Sequence, residues 1–396
     1  SMAVTSSTMR VASAFGGPVY IEVPEDGLPG VFQVRVVGAV EAPRYEMGRT
    51  SEGEWLARIR NRPAPWAELE SSKVAISVPS AYVRLLDDPE SLMKTWDRVL
   101  DACADLSAAP RTRPSPLRIV PDVQFISDPS PRSYPVLVSD EQYGVLASRR
   151  ALEQGAWDVF CAIGRAHEDP HWTYPGTEEA AAALFALYVT ETVCGRAVED
   201  AHESLRPAAR TKLVERHFAR GATFAGWLRS PSLGLYTGVQ LRQAFGWDPF
   251  RKVFAECRAA PAKERPKTEI AKRDQFIVRL SRATGRNLDA FFRCWGVTMT
   301  DPARAEVAGL PMWMAPDLPA AAAAAALAAA SVPPPPPPPP PAAVPTPVAP
   351  TPATPPATPP AAAAPAPAAV VPTHPAPAGS GPDAVAKPER KRTKAP

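Results

Sequence analysis

A run of nine consecutive prolines, Pro333 to Pro341, lies in a part of the 396-residue sequence that cannot form a core. From about residue 320 onward the chain is almost entirely Ala, Pro, Val and Thr, which provide no periodic apolar face to bury. The folded part is therefore predicted to end near Leu318. Residues 319–396 are predicted to be a low-complexity, disordered Pro/Ala-rich tail with a basic end.

Charge and cysteine usage restrict the class of protein. The formal net charge is +3, and basic and acidic residues are interspersed except in the run from Lys387 to Lys394, so we expect no nucleic-acid surface on the folded domain. Five cysteines without a CxxC pair predict buried thiols rather than a cysteine-rich zinc site. No apolar run reaches the ~20 residues of a membrane span. No signal peptide is evident, although Ser1-Met2 is typical of a cloned or cut end.

Strand patterns come first along the chain, and helical patterns follow. Residues 16–40 alternate β-branched runs with Gly and Pro turns, as antiparallel strands do, and residues 73–80 and 122–127 predict further strands. Asp88-Pro89 opens a predicted helix between them. We therefore predict an α+β fold. Its expected parts are an N-terminal segment 1–15 and a domain 16–318 with a strand-rich lobe over about 16–138 and a helical lobe over about 139–318.

Two predicted helices frame the segment that carries most of the chemistry. The first runs from Arg149 to about His167 and ends before Pro170, because proline removes a helical donor and biases the preceding residue toward extended geometry. The second runs from Thr177, a plausible cap, to Gly195, a plausible stop.

Residues 167–171, His-Glu-Asp-Pro-His, spell the HExxH pattern of zinc peptidases. That pattern works on a helix, where positions i and i+4 aim two imidazoles at one metal and the glutamate acts on its water. Pro170 lies inside the required turn, where proline costs on the order of 3 kcal/mol. We therefore expect His167 and His171 to lie in the loop after the helix. Zinc ligation by His167, His171 and Glu179, with Glu168 nearby, is the alternative.

A second register gives a closer match. Residues 160–179 resemble, without a gap, the segment FHEIGHNHQDPDWTFDGTGE of the enhancin-type zinc metallopeptidases, the mucin-directed glycopeptidase family of the gluzincin group. The resemblance covers roughly residues 10 to 315. Its further blocks are RVASAFGGPVYIEVP, RNRPAPWAELESSKVAISVPS, LDDPESLMKTWDRVLDACADL, LRQAFGWDPFRKVFAE and RDQFIVRLSRATGRNLDAFFRCWGV.

The resemblance implies a zincin-like fold with a degenerate zinc motif. The two metal histidines of the family fall on Cys161 and Arg165, its general-base glutamate on Ala162 and its third ligand on Glu179. A catalytic zinc usually needs three protein ligands, and Arg165 places a permanent positive charge where the cation would bind. We expect the Arg165 side chain to reach Glu179 and to form a salt bridge in place of the metal.

These residues leave several functions open. The leading hypothesis is a catalytically inactive, metallopeptidase-like domain without a cofactor, a monomer that binds a peptide, glycopeptide or protein partner in the former cleft. One alternative is an active zinc metallopeptidase or glycopeptidase with shifted ligands, and another is a structural module of a secreted or surface assembly. The resemblance favours a secreted or surface location, and the missing signal leaves a cytoplasmic one open. The predicted cleft residues are Tyr134, Arg165, Trp172, Tyr174 and Glu179.

Overall fold

The computed structural model describes residues 3–12, 16–21, 31, 33–123 and 134–331. The strands are β1 (Arg44–Glu46), β2 (Trp66–Glu70), β3 (Val74–Pro79), β4 (Leu117–Asp122) and β5 (Val136–Ser139). The helices interleaved with these strands are α1 (Glu52–Ala57), α2 (Ser80–Val83) and α3 (Pro89–Leu106). The helices after β5 are α4 (Tyr143–Leu146), α5 (Arg149–Glu153), α6 (Trp157–His167), α7 (Glu178–Thr192), α8 (Val198–Ala201), α9 (Pro207–Ala219), α10 (Phe224–Leu228), α11 (Pro231–Phe245), α12 (Asp248–Ala259), α13 (Glu269–Thr284), α14 (Asp289–Cys294), α15 (Asp301–Val307) and α16 (Ala320–Ala330). The predicted α+β class is confirmed.

The strands form one mixed sheet in the order β1-β2-β3-β4-β5. β2 and β3 pair antiparallel, with Trp66 opposite Pro79, while the other three neighbouring pairs are parallel. β3 is central, and five of its six residues are buried. β5 pairs with β4 and stands at the edge of the described sheet. This edge borders the site described below.

The antiparallel strands predicted over residues 16–40 are absent from the residues of this range that the structure describes. The described residues of the range 16–40 contain no strand, and residues 22–30 and 32 lie outside the description. Val19, Val31 and Val37 are exposed there, so their β-branched side chains pack on no sheet. Of the strand predicted at 122–127, residues 124–127 lie outside the described residues, and Asp122 is the last residue of β4.

The helix predictions hold with one interruption. α3 begins at Pro89, and the Asp88 carboxylate caps it by accepting a hydrogen bond from the Ser91 amide at 2.9 Å. The helix predicted from Arg149 to His167 is instead two helices, α5 and α6, because the chain turns at Gly155 with φ of 95°. α6 ends at His167, as the position of Pro170 predicts.

α6 and α7 pack unusually closely at Gly164. A Cβ atom at this position would lie 2.8 Å from the Cβ of Phe185 and 2.9 Å from the backbone oxygen of Ala182. Only a residue without a side chain fits between the two helices there. This contact fixes the distance between the faces of α6 and α7 that carry the candidate site.

Ordered structure continues beyond the domain end that was expected near Leu318. α16 follows that residue, its Ala326 is buried, and the helix packs against α14. Arg304 also donates a hydrogen bond to the backbone oxygen of Ala330 at 3.4 Å. Alanines are small enough for close helix contact, which composition alone did not indicate. Across the described residues, no helix has the length and apolarity needed to cross a membrane.

Candidate functional site

A cleft of about 380 Å³ opens between the edge strand β5 and the helices α6 and α7. β5 contributes Leu137, Val138 and Ser139, and the start of α11 closes the far side with Ser232. The residues of α6 and α7 that line it are Trp157, Asp158, Cys161, Ala162, Arg165, Glu179 and Ala183. The structure therefore brings together the four positions to which the resemblance assigns the zinc chemistry.

Arg165 occupies the centre of this arrangement. Its guanidinium donates a short hydrogen bond to the Glu179 carboxylate, which joins α6 to the first turn of α7. The salt bridge expected from the sequence is confirmed. The Arg165 side chain is mostly buried while that of Glu179 is half exposed, so the ion pair sits at the mouth of the cleft rather than in the core.

The neighbouring residues of α6 offer little chemistry. Cys161 is buried, and this burial raises the pKa of its thiol well above the usual range. The thiol is therefore protonated at neutral pH, whereas both nucleophilic attack and metal ligation require the thiolate. Ala162 presents a methyl group at the position where the family pattern has its general base.

This donor set does not fit a catalytic zinc ion. Such an ion usually takes three protein ligands and a water molecule, and the α6 face supplies a protonated thiol, a methyl group and a guanidinium. Glu179 is already engaged by Arg165. In the part of the chain that the structure describes, no three His, Cys, Asp or Glu side chains come close enough together to hold a metal ion.

The literal HExxH residues are engaged elsewhere. The Nδ1 atom of His167 donates to the Ile163 carbonyl at 2.9 Å, and its Nε2 atom accepts from Arg113 at 2.6 Å. Burial lowers the pKa of His167 to about 4, so the ring is neutral and both nitrogens are used. His171 lies beyond the end of α6, and its Nδ1 atom forms a short hydrogen bond with Asp169.

Glu168 lies between these histidines and is almost completely buried, with 1% of its surface exposed. Desolvation raises the pKa of Glu168 to about 8, an effect that the nearby Arg165 partly offsets. At neutral pH the carboxyl group is therefore largely protonated. It does not line the cleft, so its position supports a structural role at the end of α6.

The predicted cleft residues separate into three places. Arg165 and Glu179 line the cleft, but Trp172 and Tyr174 line a second cavity, because the loop after α6 turns them toward α12 and α13. Trp172 stacks on Phe254 at 4.6 Å between ring centres. Tyr134 is 60% exposed just before β5 and does not line the cleft. The structure therefore does not bring these five residues together in one cleft.

The cleft also contains residues that the sequence did not indicate. The rings of Trp157 and His202 stack at 4.9 Å and form part of its wall. Glu141 and Asp158 add carboxylates beside Glu179. His202 lies 45 residues after Trp157, and this contact is tertiary, so no local pattern could reveal it. The sequence signal that could have indicated this part of the cleft is the group of acidic residues near β5 and α6.

The mixed sheet, with α6 and α7 beside its edge strand β5, agrees with the metallopeptidase-like α+β fold that the resemblance predicted. The chain belongs to the peptidase M60 family of enhancin and enhancin-like proteins, whose family profile matches residues 38–296. This match confirms the family inferred from residues 160–179 and from the other blocks of similarity.

Similarity to individual proteins is more limited. TRPM8 channel-associated factor 3 of Rattus norvegicus is 31% identical over 312 residues, which are 78% of this chain and 34% of that protein. The chain thus spans about a third of the length of this curated relative. A conserved Bacillus anthracis protein of unknown function superposes with a TM-score of 0.58 at 20% identity, over 68% of this chain and 57% of that one. A metallopeptidase in complex with Tn antigen gives 0.52 at 13% identity, over 68% and 56%. At such identities the two structures show the fold alone.

Proposed function

We propose that this M60 domain is catalytically inactive and uses its cleft to bind an extended segment of a peptide, glycopeptide or protein partner. The observation that carries the proposal is the contact between Arg165 and Glu179. By the family resemblance, a metallopeptidase has an electrophilic metal and an activated water at these positions, so a fixed cation and its counterion there support an inactive domain. The cleft remains open around this ion pair, with room for a ligand.

The edge strand favours an extended occupant. The outer backbone groups of an edge strand are available to pair with an added strand, and β5 lines the cleft with three consecutive residues. Main-chain hydrogen bonds of this kind supply affinity, and side-chain pockets supply specificity. The cleft offers such a pocket between the Trp157–His202 wall and the Arg165–Glu179 pair.

Charge favours a segment that carries a basic residue. Three carboxylates line the cleft, those of Glu141, Asp158 and Glu179. Among the described residues, Arg165 is the one Lys or Arg in its lining. Because Arg165 and Glu179 neutralise each other, the other two carboxylates set the local field. The curated relative is named for association with a channel, and this favours a protein partner. The solved complex with Tn antigen supports a glycopeptide as the related possibility.

Binding to immobilised peptides tests the proposal. Ser/Thr-rich peptides with and without O-linked sugar, each with and without a Lys, are offered to the protein, and bound peptides are examined by mass spectrometry after long incubation. We expect retained, uncleaved peptides and a preference for those with Lys. Cleavage of the bound peptides would contradict the inactive reading.

Two variants locate the binding site. Ser232→Trp places a large side chain at the cleft wall and is expected to weaken binding at least about tenfold, since it excludes the segment. Gln243→Trp introduces the same side chain on an exposed position of the same helix, away from the cleft, and should leave binding unchanged. Equal affinity of the two variants would show that the peptide binds elsewhere.

A further inference from the structure

A second, partly open cavity lies on another face of α7 and is lined by α7, α10, α11, α12, α13, α14 and the loop after α6. Its volume is about 110 Å³, and its lining is strongly apolar. The aromatic residues in the wall are Trp172, Tyr174, Trp227, Phe250, Phe254, Phe276 and Phe292. The cleft and this cavity have no lining residue in common, so a ligand of the cavity is independent of the proposed peptide site.

Two nitrogen atoms of the cavity's lining residues are buried without a hydrogen-bond acceptor. Trp172 is 5% exposed, and its indole Nε1–H reaches no acceptor in the part of the chain that is described. The Nε atom of Arg273 is likewise buried and unpartnered among the described residues. Buried donors are nearly always satisfied in folded proteins, by protein groups, water or a ligand. Two such donors on residues that line one cavity point to an acceptor-bearing occupant.

Charge specifies the acceptor further. Arg273 is a permanent cation and makes no ion pair with any residue in the described ranges. Glu269, one turn earlier on α13, is exposed and forms no salt bridge with it. The guanidinium instead lies 4.9 Å from the centre of the Phe224 ring. A cation beside an apolar cavity is stabilised most by an anion that brings its own apolar body.

The size of the cavity limits that body. Apolar cavities of roughly 150 Å³ hold a single benzene ring, so a volume of about 110 Å³ is tight even for one ring and is too small for a peptide segment. The cavity is only partly enclosed, so a ring fills it only if its polar substituent lies at the open side. We infer that this cavity binds a single-ring aromatic carboxylate, with the carboxylate paired to Arg273, the ring among the aromatic side chains, and an acceptor atom facing the Trp172 Nε1–H.

Benzoate and toluene are the probes that test this inference. Binding of each to the full chain is followed by ligand-observed NMR and by the shift in melting temperature. We expect benzoate to bind more tightly than toluene, because toluene matches the ring but lacks the carboxylate. Ala181→Leu, which adds volume to a residue of the wall, should abolish binding of both probes.

The donors are tested by substitution. Arg273→Gln is expected to weaken benzoate binding about tenfold while leaving toluene binding unchanged, since a charged hydrogen bond is lost and the wall is kept. Trp172→Phe keeps a ring, removes the donor, and provides a second variant should the first fail to fold. Arg282→Gln, on the same helix but paired with Glu306 at the surface, is the matched control and should bind both probes like the parent. Loss of benzoate affinity in either donor variant supports the inference. No binding to the parent, or unchanged affinity in both donor variants, would overturn it.

Discussion

The Arg165 guanidinium on α6 donates a hydrogen bond to the Glu179 carboxylate on α7, across the cleft that borders β5. In the M60 pattern these two positions both belong to the metal site. The ion pair keeps the two helices in register, and the position of Gly164 beside it fixes their separation. The ion pair thus stands where the family resemblance assigns the metal site.

Restoring the family residues should restore zinc binding. The triple substitution Cys161→His, Ala162→Glu and Arg165→His places two imidazoles one helical turn apart and frees Glu179 as the third ligand. We expect about one zinc ion per chain by elemental analysis after dialysis, and weak cleavage of O-glycosylated peptides, since zinc lowers the pKa of its bound water to ~7.

The matched control for this variant adds Glu179→Gln to the three substitutions. It removes the third ligand and should lower the bound zinc to a small fraction of one per chain. Equal zinc in the triple and quadruple variants would mean that Glu179 is not the ligand, and the register of residues 160–179 would then need revision.

Gly164→Ala should destabilise the domain. The added Cβ would lie 2.8 Å from Phe185 and 2.9 Å from the Ala182 backbone oxygen, so α6 and α7 must separate. We expect a loss of about 2 kcal/mol or more in the free energy of unfolding, measured in urea. Gly53→Ala is the control, because position 53 is also helical and has no atom within 4 Å of its added Cβ. There the better helix propensity of alanine should leave stability equal or slightly higher.

Glu168 should make stability fall as pH rises. Its pKa is raised from 4.5 to about 8 by burial, so the folded protein holds a proton that the unfolded chain releases across this interval. Below about pH 4.5 both states are protonated and the burial of the charge costs nothing, whereas above about pH 8 the full cost is present.

Glu168→Gln removes this dependence. We compare the melting temperatures of variant and parent at each pH. The difference, variant minus parent, should be a few degrees larger at about pH 8.5 than at about pH 5, because each pKa unit corresponds to about 1.4 kcal/mol. Glu215→Gln, an exposed position on α9, should give a difference that does not change with pH. A flat difference for Glu168→Gln as well would contradict a protonated, buried carboxyl group.

Two truncations should separate α16 from the tail. Removal of residues 332–396 is expected to leave the melting temperature nearly unchanged, since their composition offers no apolar face. Removal of residues 319–396 also deletes α16, whose Ala326 is buried against the domain, and should cost about 1 to 2 kcal/mol. Identical melting temperatures for both truncated chains would mean that α16 adds nothing to stability.

Local patterns predicted most of the helices and the site segment. The proline at 170 ends α6 where expected, and Asp88 caps α3 through its carboxylate. The gapless register from 160 to 179 correctly predicted that Arg165 would meet Glu179, because both lie on regular helices joined by a short loop. These features depend on residues near one another in sequence.

Features that depend on tertiary contact were missed. β2 buries Ala67, Glu68 and Leu69 in succession, so no alternation of apolar and polar residues marked it as a strand. The valines before residue 40 wrongly indicated strands. Trp172 was assigned to the cleft because it follows the motif, but its ring direction is set by packing on Phe254 of α12. Such directions follow from the three-dimensional arrangement of helices and not from spacing.

The zinc content of the parent protein tests directly whether this M60 domain lacks a catalytic metal. The full chain is dialysed against a zinc buffer and then against buffer without metal, and its zinc content is measured by elemental mass spectrometry. The double variant His167→Ala, His171→Ala is treated and measured in the same way. We expect far less than one zinc per chain in both proteins, because Arg165 is paired with Glu179 and His167 uses both ring nitrogens within the fold. About one tightly held zinc in the parent, lost in the double variant, would contradict this expectation and would make the literal HExxH the true site.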